Sequence, residues 1–414
     1  MQAEYKPVVT HSEDDCDFIR QIEEWMALVV PKQNNTCPYC DSDKLDSVFD
    51  EMIPTLLHAC EPHRVVESRL FPVRVVLCKS CGLGFNASPL PDDALMDIYE
   101  NFRYIKPRRN IGISRYYKIL GMLRRHVKQG EFLVEIGASD GFLIDTLIEQ
   151  GYSHIDGFEP SQEWRSMRNK ERIRNEFFTR DTSFSQPVDA FYLMHVLEHF
   201  SVPWDILRTM REKLADEGKV IFEVPFFSGM YHQHLIYYSD VFVRRLASDL
   251  GFFVVEEDVS NDVLRICLKK SKDIRDTGEA LGASVDALAD ALRQRQTESR
   301  ENREKLRRHI ETADTVFWWG TGSTSIMTLS ALGESVCRGK RFVFIDSDED
   351  RKGLVLPVPF LADSPIELPS EAFSRMGSDD LLVVASMFSG EILSRIERDG
   401  YALPRNVISS IRMV

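Results

Sequence analysis

No apolar run in this 414-residue sequence approaches the length of a membrane span, and its first residues, MQAEYKPVVTHSEDD, lack the basic-then-apolar pattern of a secretion signal. The expectation is a cytosolic protein with no membrane partner. An excess of positive charge is also missing. Lys and Arg number 51 against 65 Asp and Glu, a net charge of −14 with His neutral, so a nucleic acid would meet mostly like charge. No low-complexity tract and no short-period repeat interrupts the chain. Cysteine is sparse, with eight residues in all. In a compartment where glutathione and thioredoxin keep thiols reduced, these are read as metal ligands or packing residues before disulfides.

What is present is length enough for two or three domains and ample apolar content to fill their cores. Four of the cysteines stand as Cys37-Pro-Tyr-Cys40 and Cys78-Lys-Ser-Cys81. Two thiolates three residues apart on a tight turn can share one tetrahedral metal, and a second such pair completes the shell with no position left for water. This pattern predicts one structural zinc per chain, within a module spanning 36–100 that follows an N-terminal extension, 1–35. His58, Cys60 and His63 lie between the pairs and read as bystanders.

Within a core assigned to 101–271, strands and helices alternate, the grammar of a parallel sheet covered on both faces. FLVEIGA, HIDGFEP, DAFYLMHV and KVIFEVP read as strands, and GFFVVEED and VLRICLKK as a final pair. A charged, proline-free stretch, 272–312, reads as a solvated helical linker. A second, shorter α/β unit occupies 313–414. In it TVFWWGTGS and the acidic DSDED, with Asp346 at a strand end, superficially suggest nicotinamide binding, but Ser325 stands in the place of the last glycine. A supporting, nucleotide-holding or structural domain is the better expectation, with at least one of Trp318 and Trp319 in its core.

The turn EIGASDG places Glu135, Gly137, Asp140 and Gly141 between a strand and a helix. Glycines let backbone approach a ligand there, and the helix N-terminus offers free amides. The spacing departs from the dinucleotide fingerprint, so a pyrophosphate ligand loses support. Glu159, closing the next strand in GFEPS, can accept both hydroxyls of a ribose. Together with LMHVLEHF, these features resemble the class I S-adenosylmethionine-dependent methyltransferase fold. The full order is paired CxxC, VEIGASDG, HVLEHF, FEVP, YHQHLIYYS, helical linker, then a terminal unit with WGTGS and FIDSDEDRKG. It resembles the three-domain sugar C-methyltransferases of deoxysugar biosynthesis, over nearly the whole chain after the N-terminal extension.

That resemblance implies an α/β protein: a class I methyltransferase Rossmann-like core, a small N-terminal zinc-binding module and a second C-terminal Rossmann-like domain. It implies S-adenosylmethionine lying on the glycine turn, held by Glu135, Gly137, Ala138, Asp140, Gly141, Glu159, Asp181 and His195. It gives the chemistry to Tyr231 and His234 of YHQH, lines the methyl-transfer pocket with His195, and brings Tyr104 to the site. The terminal domain would help hold a nucleotide.

Methylating a carbon next to a ketone needs a base for the α-proton and a donor to steady the enolate. Histidine's ordinary pKa lies closest to neutrality, which makes His234 the expected base. Tyr231 or Tyr237 could donate to the enolate oxygen. His232 reads as packing, because successive residues cannot all face one pocket, and Glu198 and His199 read as orienting the loop.

The sequence departs from the family where a sugar would lie. Gln233 replaces the motif's glutamate, Phe226 follows EVP in place of a polar residue, and Lys106-Pro107 and Asn261-Asp262-Val263-Leu264 replace small or glycine-rich segments. These changes suggest an altered acceptor. The expected activity is C-methylation of a small metabolite, a nucleotide-linked keto sugar, by a monomer or homodimer. The rivals are an O- or N-methyltransferase on another metabolite and a non-catalytic binding protein with this fold.

Overall fold

A computed structural model describes residues 32–92, 94–95, 113–160, 168–260, 262–271, 281–386 and 389–409. Three sheets organise them. The first is antiparallel, in the order β1 (Leu45–Pro54), β2 (Leu70–Cys78), β3 (Gly84–Asn86) and a late strand, Ile236–Tyr237. The second contains β4 (Leu133–Ile136), β5 (Ile155–Phe158), β6 (Ile173–Arg174), β7 (Val188–Met194) and β8 (Leu214–Pro225). The strand Ile236–Tyr237 is β9, and the second sheet ends with β10 (Phe252–Ser260) and β11 (Val263–Lys270). The third holds β12 (Thr315–Trp319), β13 (Arg341–Ile345), β14 (Ile366–Glu367), β15 (Leu381–Val384) and β16 (Asn406–Ser409).

The seven-stranded sheet runs β10-β11-β8-β7-β4-β5-β6, parallel from β8 to β6, with β11 antiparallel to its neighbours. All four residues of β4 are buried, as a strand covered on both faces requires. The chain lays β5 and β6 on one side of β4 and β7 and β8 on the other. The order therefore reverses between β4 and β7, and open α/β sheets bind ligands at the carboxyl edge of such a switch. The turn after β4, Glu159 after β5, His195–His199 after β7 and the segment after β8 all leave from that edge. The third sheet, order β14-β13-β12-β15-β16, is wholly parallel and reverses in the same way beside β12.

The stretch expected as a solvated linker folds as one helix, Leu281–Thr312, but it is not solvated all round. Val285, Ala289, Leu292, Leu306 and Ile310 enter a core shared with β1, β2 and the third sheet. Strand pairing ties the modules further. β9, from the segment after β8, pairs with β3 of the small sheet, and Cys60 bridges to Val355. Trp318 and Trp319 are both core residues.

Candidate active site

The glycine turn is built by close backbone contact. Gly137 and Ala138 both donate their N–H groups to the Phe158 carbonyl, at 2.9 and 3.0 Å, which couples the turn to β5. Gly137 has φ +73°, and a Cβ there would lie 2.5 Å from Cγ2 of Val196, so the position needs glycine twice over. Gly141, also left-handed, starts the helix Phe142–Glu149, and Asp140 accepts from the Phe142 N–H at 3.3 Å. Glu159 accepts from the Ser139 N–H at 2.7 Å, so its carboxylate sits against the turn.

Two expected cofactor residues differ from the rest. Glu135 is buried beneath the turn, bonded to the Tyr192 hydroxyl at 3.1 Å. Burial pushes its pKa well up, Tyr192 opposing and the Glu159 charge adding to the rise. A carboxyl so placed supports the turn from within. Asp181 is an exposed turn residue. Tyr104, Lys106, Pro107 and Asn261 lie outside the described residues.

After β7 the chain turns sharply at His195, φ +56°, its N–H donating to the Glu223 carbonyl at 2.8 Å. The imidazole lies between two carboxylates, Nδ1 3.1 Å from Glu198 and Nε2 3.0 Å from Glu223. Burial pulls its pKa down, but the two carboxylates outweigh it and push it up to about 9. At neutral pH His195 is a cation with both ring nitrogens engaged. Glu223 also pairs at 2.5 Å with Arg265, both fully buried, and Arg265 reaches Asp258 at 2.9 Å. Neither Glu223 nor Arg265 was expected from the sequence. The signal is there: a lone carboxylate in FEVP and a lone guanidinium in VLRICL, charges inside otherwise apolar strands, which pair in register.

The YHQH segment closes over this loop. Gly229, at φ +62°, lets the Tyr231 ring fold back to where a Cβ would stand. The His234 ring lies 4.7 Å from that of Tyr231, 5.1 Å from that of His199 and 6.3 Å from that of Tyr237. His199 Nδ1 meets the Gln233 carbonyl at 2.9 Å, and the Leu235 N–H donates to the Glu198 carbonyl at 2.8 Å, so Glu198 and His199 do tie the loop. His232 turns the other way and bonds the Ile53 carbonyl at 2.9 Å, a packing role. Burial, reinforced by the charge of His199, drives the pKa of His234 down to about 3. Burial thus keeps the imidazole neutral and makes it a weaker base than the ordinary histidine expected at this position. Burial raises the Tyr237 phenol well above its ordinary value, so it stays a donor.

Residues 118–257 match the family model described as a methyltransferase domain. This stretch is a methyltransferase domain. Among solved structures, the chain is similar to a 1,6-didemethyltoxoflavin-N1-methyltransferase from Burkholderia thailandensis, with 1,6-didemethyltoxoflavin and S-adenosylhomocysteine bound. Identity is 16%, over 38% of this chain and 78% of that one, with a TM-score of 0.34. A magnesium protoporphyrin IX methyltransferase from Synechocystis PCC 6803, with S-adenosylhomocysteine bound, is 12% identical over 38% of this chain and 83% of that one, TM-score 0.31. An S-adenosylmethionine-dependent methyltransferase from Aquifex aeolicus is 14% identical over 38% and 97%, TM-score 0.31. No curated protein matches the chain. The chain is an α/β protein, and its match to a methyltransferase domain falls on the seven-stranded, Rossmann-like sheet.

Outside the methyltransferase core, the four cysteines converge. Cys37 and Cys81 sulfurs are 3.6 Å apart, as are those of Cys40 and Cys78, and all four lie within 4.8 Å of one another. A disulfide needs about 2.05 Å, whereas thiolates around one zinc, at about 2.3 Å each, stand roughly 3.8 Å apart. The set fits a tetrahedral metal. Each pair ends in a left-handed residue, Asp41 or Gly82, that turns the chain back. Tyr39 anchors this unit on the core, bonding Asp249 and stacking edge-on against Trp204 and Phe242. His58 and Cys60 stand apart, beside Arg351 and Val355.

In the C-terminal unit, Asp346 accepts from Thr321 and from Arg351 at 3.1 Å, which occupies the carboxylate that a dinucleotide ribose would need. Ser325 is buried, bonded to the Gly320 carbonyl and the Trp318 indole. The turn between them approaches the core, where Ser323 Oγ lies 3.5 Å from the Tyr231 hydroxyl.

Proposed function

We propose that the protein is a cytosolic, zinc-stabilised C-methyltransferase acting on a carbon next to the carbonyl of a nucleotide-linked keto sugar. One observation carries this reading. A neutral buried imidazole, His234, meets the phenols of Tyr231 and Tyr237 at the carboxyl edge of the sheet, with Ser323 of the C-terminal unit beside Tyr231. A proton acceptor and hydroxyl donors in one dry place are what enolisation requires. The α-proton passes to the imidazole while the C–H electron pair moves onto the carbonyl oxygen, which the phenols hold.

S-adenosylmethionine would supply the electrophilic methyl group. In this reading it rests on Gly137–Gly141 with Glu159 at its ribose, Glu135 and Asp140 shaping the turn, and His195 lending fixed positive charge nearby. Asp181 contributes at the rim. Gln233 positions His199 through its carbonyl. The nucleotide of the acceptor lies along the Gly320–Ser323 turn, and the four cysteines hold zinc. The working division is a zinc module over 36–100, a core over 101–271, a linking helix within 272–312 and a nucleotide-holding unit over 313–414.

A second reading is favoured by the low pKa of His234. Transfer to an oxygen or nitrogen acceptor demands less basicity than removing a carbon-bound proton. Incubation with S-adenosylhomocysteine and thymidine- or uridine-diphosphate keto sugars in deuterium oxide separates the two. Carbon methylation predicts deuterium at the α-position, lost in His234→Gln. Absence of such exchange, with methyl transfer seen when S-adenosylmethionine replaces S-adenosylhomocysteine, would favour the heteroatom reading.

A further inference from the structure

Glu198, His199 and His234 meet where the loop after β7 touches the segment after β8. Among the described residues, two clusters of side chains have metal-ligand spacing; one is the cysteine set, and the other joins Glu198, His199 and His234, whose ligand atoms lie within 4.8 Å of one another. Glu198 and His234 are both more than nine-tenths buried. Glu198 Oε2 and His234 Nδ1 have no hydrogen-bond partner among the described residues. His199 Nδ1 meets the Gln233 carbonyl at 2.9 Å, which fixes the plane of its ring. His234 bonds the backbone of Gly229 through its ring. Each imidazole is thus oriented by a backbone partner, as ligating histidines are.

Glu198 also pairs with His195 through Oε1, but Oε2 and the Nδ1 of His234 are left over, and buried polar atoms without partners call for an explanation. We propose that Glu198, His199 and His234 form a divalent-cation site at the acceptor pocket, separate from the cysteine cluster. Two imidazoles and one carboxylate suit Fe(II), Co(II), Mn(II) or Zn(II) and leave positions open for an acceptor oxygen and a water. Ligands at about 2.1 Å from one ion stand roughly 3.0–3.4 Å apart, so the three atoms, now within 4.8 Å of one another, would close on it. The site deepens the proposed enolisation and rests on it for its role, though not for binding. A cation there would occupy the Nδ1 lone pair of His234 and would supply positive charge for the carbonyl oxygen as the enolate forms, and in that metal-loaded form the base role given above to His234 would fall to a water held beside it.

The test is equilibrium dialysis of tag-free, full-length protein against Co(II) alone. Two equivalents are expected: one with thiolate-to-cobalt charge-transfer absorption from the cysteines, and one with only the weak visible bands of nitrogen and oxygen ligation. His199→Gln and His234→Gln should each weaken the second equivalent by at least about tenfold and leave the thiolate signal and melting temperature in place. His232→Gln, buried nearby but outside the cluster, should keep both. A wild-type protein that binds only at the cysteines overturns the site whatever the variants do, as does a second equivalent undiminished in both variants. Heteroatom methylation would leave the second equivalent intact, so the two readings fail separately.

Discussion

Gly137 shows how one residue couples two parts of the site. Its spacing from Glu135 and Gly141 is plain in the sequence, but its closest neighbour is Val196, on the loop that carries His195 and Glu198. Alanine there would meet Val196 Cγ2 at 2.5 Å and hold a left-handed φ of +73°. Gly137→Ala should lose about 1–3 kcal/mol of stability, read as a lower urea midpoint, together with weaker S-adenosylhomocysteine binding. Gly130→Ala is the control, because its added Cβ meets nothing within 4 Å. Equal behaviour of the two variants would remove the coupling. At this scale the sequence was legible where function depends on local spacing: the glycine turn, the cysteine pairs and the YHQH segment. It was illegible where a residue's state depends on burial. His234 and His195 are both histidines at strand ends, yet one is driven to about 3 and the other to about 9 by solvation and by the carboxylates the fold sets beside it.

The helix Leu281–Thr312 makes the same point for an element. Its buried positions fall at 285, 289, 292, 299, 306 and 310, intervals of three and four or their sum, a narrow apolar seam of the coiled-coil kind. Ser299 occupies one of these positions and half-buried Arg303 falls on the same seam, so charge and polarity masked it in the sequence. Arg303 pairs with Glu51 of β1 at 2.6 Å, and Arg295 reaches Asp262 at 3.2 Å and the Phe227 carbonyl at 3.3 Å. The helix thus packs the small sheet on one side and holds the loop after β8 on the other. Leu306→Ala should cost about 2–5 kcal/mol, whereas Lys305→Ala, at an exposed neighbour, should stay within about 0.5 kcal/mol. Denaturant midpoints for the pair decide it, and similar values would mean that the seam adds little to the fold.

On the scale of the whole molecule, the longer strands of the two α/β units were read in their right order, but the strands of the small sheet and the joints between units were not, because the joints depend on residues far apart in sequence. The small sheet draws β9 from beyond β8, and His58, between the cysteine pairs, lies against Arg351 of the third unit. That joint carries a pH signature. Burial and the Arg351 charge lower the His58 pKa to about 4, while Asp346 and Asp348 pair with Arg351 from the other side. Above the unfolded value of about 6.5, both states are neutral and the residue contributes no pH dependence. Between about 6.5 and 4 the unfolded chain binds a proton that the folded one refuses, so stability falls as pH falls. The loss reaches about 2 kcal/mol at pH 5 and at most about 3 kcal/mol below pH 4, at 1.36 kcal/mol per unit. Urea unfolding at pH 7.5 and pH 5 should show this decline in wild type, and His58→Asn should reduce it by that amount, whatever the variant does to stability at pH 7.5. Parallel declines in the two proteins would mean that His58 titrates alike folded and unfolded, and that the contact with Arg351 is solvated.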